Sequence, residues 1–342
     1  MDFIDTLVEP QLCSSVFFDN LMIEKVVGSG AFGEASLAKD TTTGKTYIIK
    51  SMDIDKLVSM NYTMTRIRDE IMNHFAISLR DCPNVCNIVC VNRSAKRINI
   101  VQEYCGKELA NYILHRDTEP EFFYTNREAK KWTEQLLLAL ECIHELDLAH
   151  FDIKPANLLI DDNGDLKVID FGVSQHRSQY EKGENLGGTP GYIPLEALAN
   201  KRFDYRNDSY AAGQTIKQLW NTLREPKPEH INNLIKALTT DYDSIPTIKQ
   251  ALHMFNPDKY PLRVIQPAVK PYSPLNYDLT LFDEKVEEAI QEDIELGMID
   301  PDRADMEEER KSARKLVYRG LAERNAILSP EIVRKYPDIL EE

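Results

Sequence analysis

The chain has 342 residues, of which 42% are hydrophobic and 28% charged, a balance that supports a sizeable folded core rather than a disordered chain. Its 56 acidic against 41 basic side chains leave a net charge of −15, which argues against nucleic acid and anionic membrane as partners, and no stretch approaches the ~20 apolar residues that span a bilayer. Residues 1–10 carry Asp2, Asp5 and Glu9 without a basic-then-apolar run, so no secretory leader is read there, and six cysteines in so long a chain point to a reducing, intracellular, cytoplasmic setting.

After an N-terminal extension (1–20), residues 21–28 alternate apolar and polar, 34–39 do so less cleanly, and 46–52 are rich in β-formers around Ile48 and Ile49. An antiparallel meander with turn chemistry at 40–44 is predicted. Across 65–79 the apolar side chains Ile67, Ile71, Phe75 and Leu79 recur every fourth residue, which predicts one face of a helix. Cys82, Cys86 and Cys90 share that spacing, but with no histidine among them and no tight Cys-x-x-Cys pair they read as reduced packing residues rather than a zinc site. Residues 98–102 read as a strand, and 127–145, with Trp132, Leu136, Leu140 and Ile143, as a helix. β-rich sequence is thus followed by α-rich sequence, which suggests two lobes of different class. Five prolines between 256 and 277 rule out regular structure there. Beyond them, 283–298 and 304–328 are helix formers, and the last 60 residues hold 18 acidic and 10 basic side chains. This tail reads either as solvated helix faces or as a docking segment for a partner protein or for its own chain.

The chemistry concentrates at three places. Gly28, Gly30 and Gly33 form a GxGxxG, weak evidence alone. Because a strand, a turn and another strand follow rather than a helix, the glycines belong at a hairpin tip whose backbone closes over phosphates, not at a dinucleotide-binding helix. Lys50, on the third strand, sits in an apolar run where a lysine needs an anionic partner, and Glu70 on the following helix can supply it. The densest segment is His150-Phe151-Asp152-Ile153-Lys154-Pro155-Ala156-Asn157, with Asp170-Phe171-Gly172 following. Phosphoryl transfer requires a base or positioner for a hydroxyl, cations on the phosphates and oxygen ligands for Mg²⁺. Asp152, Lys154, and the pair Asn157 and Asp170 can supply them in that order.

These motifs resemble the eukaryotic-type protein kinases, of the serine/threonine class, over residues 21–255. The resemblance implies an α+β, two-lobed fold with a β-rich N-lobe (21–103) and an α-rich C-lobe (104–255), followed here by a proline-rich linker (256–281) and an acidic helical tail (282–342). It implies ATP and Mg²⁺ as cofactors and a protein hydroxyl as substrate. Gly28, Gly30 and Gly33 would cover the nucleotide, Ala35 and Ile48 would roof the adenine, and Glu103, Cys105 and Leu159 would complete its pocket. Lys50 and Glu70 would form the activating ion pair, Asp152 would be the base with Lys154 beside it, and Asn157 and Asp170 would hold the metal. Asp208 resembles the buried aspartate that anchors the catalytic loop, and Thr189 and Glu196 belong to the end of the activation segment.

Five departures from the family pattern stand out. Ala35 and Ile48 have exchanged the usual large and small positions, and Gln102 makes the rear of the pocket polar. Phe151 stands where many relatives have an arginine that receives an activation-segment phosphate, so activation without that phosphate is expected. Ile245 replaces the usual arginine partner of Glu196, leaving Arg202 or Lys249 as candidates. The short span from Trp220 to Ile231 implies a reduced helix in the large lobe. A nucleotide-binding scaffold without efficient catalysis is the alternative, against which stands the retention of Lys50, Asp152, Asn157 and Asp170 together.

Overall fold

The computed structural model describes residues 12–29, 33–59, 64–80, 82–94, 96–180 and 188–262, and beyond them positions 286, 287, 290, 291, 306, 307, 310, 314 and 335. Gly30 lies outside the described residues, as do the beginning of the N-terminal extension and the proline-rich stretch from 263 onwards. The chain forms two compact units, 1–262 and 263–342.

The first unit opens with a short helix α1 (Ser15–Asp19), whose N-terminus is capped by the Ser14 hydroxyl accepting from the Phe17 amide. The expected meander follows as β1 (Leu21–Ser29), β2 (Gly33–Asp40) and β3 (Thr46–Asp53). The turn between β2 and β3 is held by Asp40, whose carboxylate accepts from the Thr42 amide and the Thr43 hydroxyl. After α2 (Ile54–Ser59) and α3 (Met64–Leu79), β4 (Ile88–Arg93) and β5 (Arg97–Glu103) complete an antiparallel sheet of order β1-β2-β3-β5-β4. On α3, Ile67, Ile71 and Phe75 are buried against Met52, Leu57 and the sheet residues Ile88, Ile98 and Ile100. Leu79, expected on the same face, is 79% exposed. Each step of four overshoots a full turn by about 40°, so the fourth member has rotated off the buried stripe.

The helical lobe contains β6 (Lys107–Glu108), α4 (Leu109–His115), α5 (Asn126–His144), the short strands β7 (Leu148–Ala149), β8 (Leu158–Ile160), β9 (Leu166–Val168) and β10 (Gln175–His176), then α6 (Arg177–Tyr180), α7 (Leu195–Asn200), α8 (Arg206–Asn221), α9 (Glu229–Leu238) and α10 (Ile248–Phe255). α5 starts with a capping box of Thr125 and Glu128, and its Trp132, Leu136, Leu140 and Ile143 are buried as the periodicity predicts. They join Ile216, Leu219 and Trp220 of α8 and Leu234 and Leu238 of α9 in the main core. Residues 222–228 connect α8 to α9 without a helix, the reduction expected from the sequence. The unit runs past the expected C-lobe boundary: Tyr260 donates its hydroxyl to Glu134 at 2.7 Å and Lys259 contacts the same carboxylate at 2.8 Å.

In the second unit the described positions are helical in both expected stretches. Val286 and Ile290 are buried, and Glu287 pairs with Arg310 at 2.8 Å. No helix among the described residues is long and apolar enough to cross a membrane.

The reading of the cysteines is overturned. All six are paired, Cys13 with Cys90, Cys82 with Cys142 and Cys86 with Cys105, with Cα–Cα separations of 5.1, 6.0 and 6.1 Å. Those separations fall within the range a disulfide requires. The partners are 77, 60 and 19 residues apart in the chain, so their juxtaposition is a product of the sheet and of α5, and the local every-fourth spacing carried no information about it.

Candidate active site

A cleft of about 740 Å³ opens between the sheet and the helical lobe of the first unit. From the sheet, the β1–β2 hairpin contributes Gly28 and Gly33, and β2 and β3 contribute Ala35, Ile48 and Lys50. Gly33 runs so close to β3 that a Cβ there would overlap the Ser51 carbonyl oxygen. Across the sheet Ala35 pairs with Lys50 and Ile48 with Gln102, so the roof residues and the rear residue come from three neighbouring strands.

Lys50 makes a close ion pair with Glu70 of α3 and a second with Asp170 at 3.2 Å. Burial alone would push the lysine pKa down, but the two carboxylates more than offset it and hold the ammonium charged. The same charge, against the opposing effect of burial, keeps the Asp170 carboxyl below the usual carboxylate range. Asp170 adopts φ 67°, a left-handed conformation costing a non-glycine residue roughly 1–3 kcal/mol and found where a site dictates the backbone.

The opposite wall is organised by Asp208, completely buried at the start of α8. Its Oδ1 accepts from the Phe151 amide at 2.7 Å, and its Oδ2 from the His150 amide at 2.8 Å and lies 2.9 Å from His144 Nε2. Burial would raise its pKa, yet these donors and the charge of the neighbouring imidazoles hold it down. The loop so anchored presents Asp152, whose Oδ2 accepts from Lys154 Nζ at 2.7 Å and from Asn157 Nδ2 at 2.8 Å, and whose Oδ1 accepts from the Thr189 hydroxyl at 2.6 Å. Lys154 also donates to Thr189 at 2.8 Å. Asn157 spends its amide nitrogen on the carbonyl and carboxylate of Asp152, which leaves its oxygen as the end available to a cation. Together with the Asp170 carboxylate this is a hard-oxygen donor set, suited to a magnesium ion completed by phosphate oxygens.

The structure therefore brings Gly28, Gly33, Ala35, Ile48, Lys50, Glu70, Asp152, Asn157 and Asp170 to one cleft, with Lys154 bonded to Asp152 beside it. The side chains of Glu103, Cys105 and Leu159 do not line it. Alternation along β5 sends Gln102 into the cleft and Glu103 away, where its carboxylate accepts from Asn87 Nδ2 at 3.2 Å. Cys105 is buried in its disulfide with Cys86. Leu159 of β8 pairs across its sheet with Glu108, and Glu108 is the lining residue there. Sequence reasoning missed Glu108 and Arg66, surface-type charges in helix-like or strand-like sequence, and Ile169, whose only signal was its place beside Asp170.

Several contacts hold the described part of the activation segment, residues 173–180. Phe151, at φ 62°, is buried in edge-to-face contact with Tyr180 of α6, ring centroids 5.5 Å apart, in a cluster with Ala149, Val173 and Phe203. Asn73 of α3 donates to the Ser174 hydroxyl at 3.1 Å, and Gln179 donates to Asp69 at 2.8 Å. β10 pairs with β7 through Gln175–Ala149 and His176–Leu148. Neither candidate arginine substitute meets Glu196, which accepts instead from the Tyr242 amide at 3.0 Å while Arg202 pairs with Asp243 at 2.7 Å.

Comparison with known proteins agrees with this arrangement: the family model described as "Protein kinase domain" matches residues 21–275. The chain belongs to the protein kinase family. Among similar proteins, a carbon catabolite-derepressing protein kinase of Saccharomyces cerevisiae is 32% identical over 200 residues, 58% of this chain and 30% of its own length. CBL-interacting protein kinase 9 of Oryza sativa subsp. japonica is 35% identical over 184 residues, 53% of this chain and 38% of its own. CBL-interacting serine/threonine-protein kinase 16 of Arabidopsis thaliana is 33% identical over 207 residues, 57% and 42% respectively. The matched region thus spans under half the length of each of these curated relatives.

Proposed function

We propose that the chain is an ATP- and Mg²⁺-dependent serine/threonine protein kinase whose activation segment works without a phosphate. The observation that carries the catalytic part is the meeting of two networks in one cleft: Lys50 bridging Glu70 and Asp170, and Asp152 held jointly by Lys154, Thr189 and Asn157. In the transfer, the substrate hydroxyl oxygen bonds to the γ-phosphorus of ATP, the bond to the β-phosphate oxygen breaks, and the hydroxyl proton passes to Asp152. Lys154 neutralises charge on the moving phosphoryl group, and its link to Thr189 ties the loop to the substrate-side segment, as in the serine/threonine class. Lys50, aimed by Glu70, steadies the phosphates. Asn157 and Asp170 would hold Mg²⁺, which when bound supplies further positive charge to the phosphates.

Support for phosphate independence comes from the apolar packing of Phe151 on Tyr180 and from the Asn73–Ser174 and Asp69–Gln179 contacts, which link α3 directly to the segment. The deciding assay measures transfer from labelled ATP with Mg²⁺ to generic protein substrates, for the intact chain and for Asp152→Asn. Transfer that disappears in the variant is expected; nucleotide binding without transfer in the intact chain would favour the scaffold reading. Phosphatase treatment is expected to leave most of the initial rate. A tenfold drop restored by rephosphorylation would refute the activation part alone.

A further inference from the structure

Behind the cleft a buried histidine dictates which end of the Gln102 amide faces the ligand. His74 follows Glu70 by one turn of α3 and is 3% exposed. Its Nε2 lies 2.6 Å from the Cys86 carbonyl oxygen. A carbonyl oxygen only accepts, so Nε2 carries the hydrogen. Burial pushes the ring's pKa down to about 4, so His74 is neutral and its Nδ1 is a lone pair. That lone pair is 3.2 Å from the Gln102 amide nitrogen, and only the NH₂ end of an amide can serve it. The ring is also held against Phe171, centroids 4.7 Å apart with the planes tilted by 41°, and Phe171 in turn meets His150 at 5.0 Å. Gln102 therefore cannot turn over without leaving the His74 acceptor unserved. Its Oε1 points away from His74, Gln102 lines the cleft beside Ile48, and among the described residues no protein donor is aimed at that oxygen.

We propose that Gln102 is a base-reading, specificity-determining residue and that His74 is its positioning residue: the fixed Oε1 accepts from the 6-amino group of adenine and disfavours a 6-oxo purine. The inference rests on the cleft being the ATP site. An acceptor facing the 6-oxo group of hypoxanthine or guanine sets two oxygens against each other, with neither able to donate, and a buried acceptor left unserved is what makes polar discrimination steep.

The test compares ATP with inosine triphosphate, which differs from it only in the 6-oxo group and its N1 hydrogen. Both KM and kcat, and the melting shift each nucleotide gives, are measured for the intact chain, Gln102→Met, His74→Phe and the double variant. His74→Phe keeps a ring against Phe171 but removes the nitrogen that orients the amide. The intact chain is expected to prefer ATP by 100-fold or more in kcat/KM. Each single variant should lower that preference at least tenfold, through KM rather than kcat, and the double variant should lower it no further than the worse single one, because the two residues act as a unit. His74→Asn, which can again present an acceptor, should regain part of it. If Gln102→Met and His74→Phe keep the preference within twofold while ATP is still turned over, the proposal is overturned and the ATP-site reading stands. If ATP neither binds nor reacts with the intact chain, both are overturned. Should His74→Phe fail to fold, Gln102→Met decides the matter by the same ratio.

Discussion

The aromatic contact between Phe151 and Tyr180 is expected to control activity far more than it controls global stability. Tyr180→Ala removes a ring that is 6% exposed and stands edge-on to Phe151. Truncating a buried aromatic typically costs about 3–5 kcal/mol, with roughly 0.5–1.5 kcal/mol attributable to the ring pair beyond its buried area. The cluster is small, comprising Ala149, Phe151 and Tyr180 with Val173 and Phe203 against it. It lies outside the main core of the helical lobe, so the loss should fall mainly on local opening of the segment. A local loss of about 3 kcal/mol moves the closed-to-open ratio roughly 100-fold, and the apparent rate falls with the competent fraction. Initial rates, melting temperature and amide exchange across 171–180 are the measurements. Tyr180→Ala and Phe151→Ala should each lose tenfold or more in kcat, melt within a few degrees of the intact chain, and exchange faster in that stretch, with the double variant little worse than either. Wild-type turnover in Tyr180→Ala, combined with a tenfold loss when the intact chain is dephosphorylated, would refute the reasoning.

Lys50→Met and Asp170→Asn are each expected to abolish phosphoryl transfer with near-native melting, because both serve the cleft and not the core; normal turnover in either would sink the assignment. Gly33→Ala should lower both stability and nucleotide affinity, since its Cβ collides with the Ser51 backbone, whereas Gly28→Ala meets only Ala35 Cβ at 3.8 Å and should fold normally; melting curves for the two distinguish them. His74 binds its proton only below about pH 4 in the folded chain and near its ordinary pKa of 6.5 when unfolded. The unfolded state thus holds more protons between those values, and stability is lost as pH falls from about 6.5 towards 4, by roughly 3 kcal/mol for this group. Denaturant midpoints across that window should fall steeply for the intact chain and less so for His74→Phe. Asp208→Asn turns an amide NH₂ towards at least one backbone N–H and should cost about 2–4 kcal/mol, with the rate falling as well; an unchanged melting temperature would show that the loop does not depend on this carboxylate.

Much of the site was legible because its residues are chosen for chemistry that local packing does not explain. A lysine inside an apolar strand, an aspartate and an asparagine five residues apart, and an Asp-Phe-Gly all announced themselves before any fold was known. The order of β-rich and α-rich sequence gave the two lobes for the same reason: period two and period four are local signals. What escaped notice is set by contacts between distant residues. The three disulfides pair cysteines by sheet and helix geometry, and nothing in their spacing distinguished them from packing thiols. His74 carries no local signal in the sequence; only the fold sets it between Gln102, Cys86 and Phe171. β4 was invisible because Ile88–Arg93 is short and carries cysteine and asparagine.

A phenylalanine beside the proposed base Asp152 is compatible with an ordered loop for a reason that lies in the backbone. Phe151 sits at φ 62°, a conformation that a bulky residue does not choose for itself and that costs about 1–3 kcal/mol. The cost is met by Asp208, which accepts from the amides of both His150 and Phe151. From the loop those bonds use main-chain amides only, so its path does not depend on which side chain occupies position 151. That side chain is therefore free to answer to the activation segment alone. An arginine there would recruit a phosphate through charge; phenylalanine packs against Tyr180 and Phe203 through apolar burial, the contact on which the proposed phosphate-independent activation rests. The Asn73–Ser174 and Asp69–Gln179 hydrogen bonds then bring α3 into register with the same segment, and Glu70, on the helix so held, reaches Lys50.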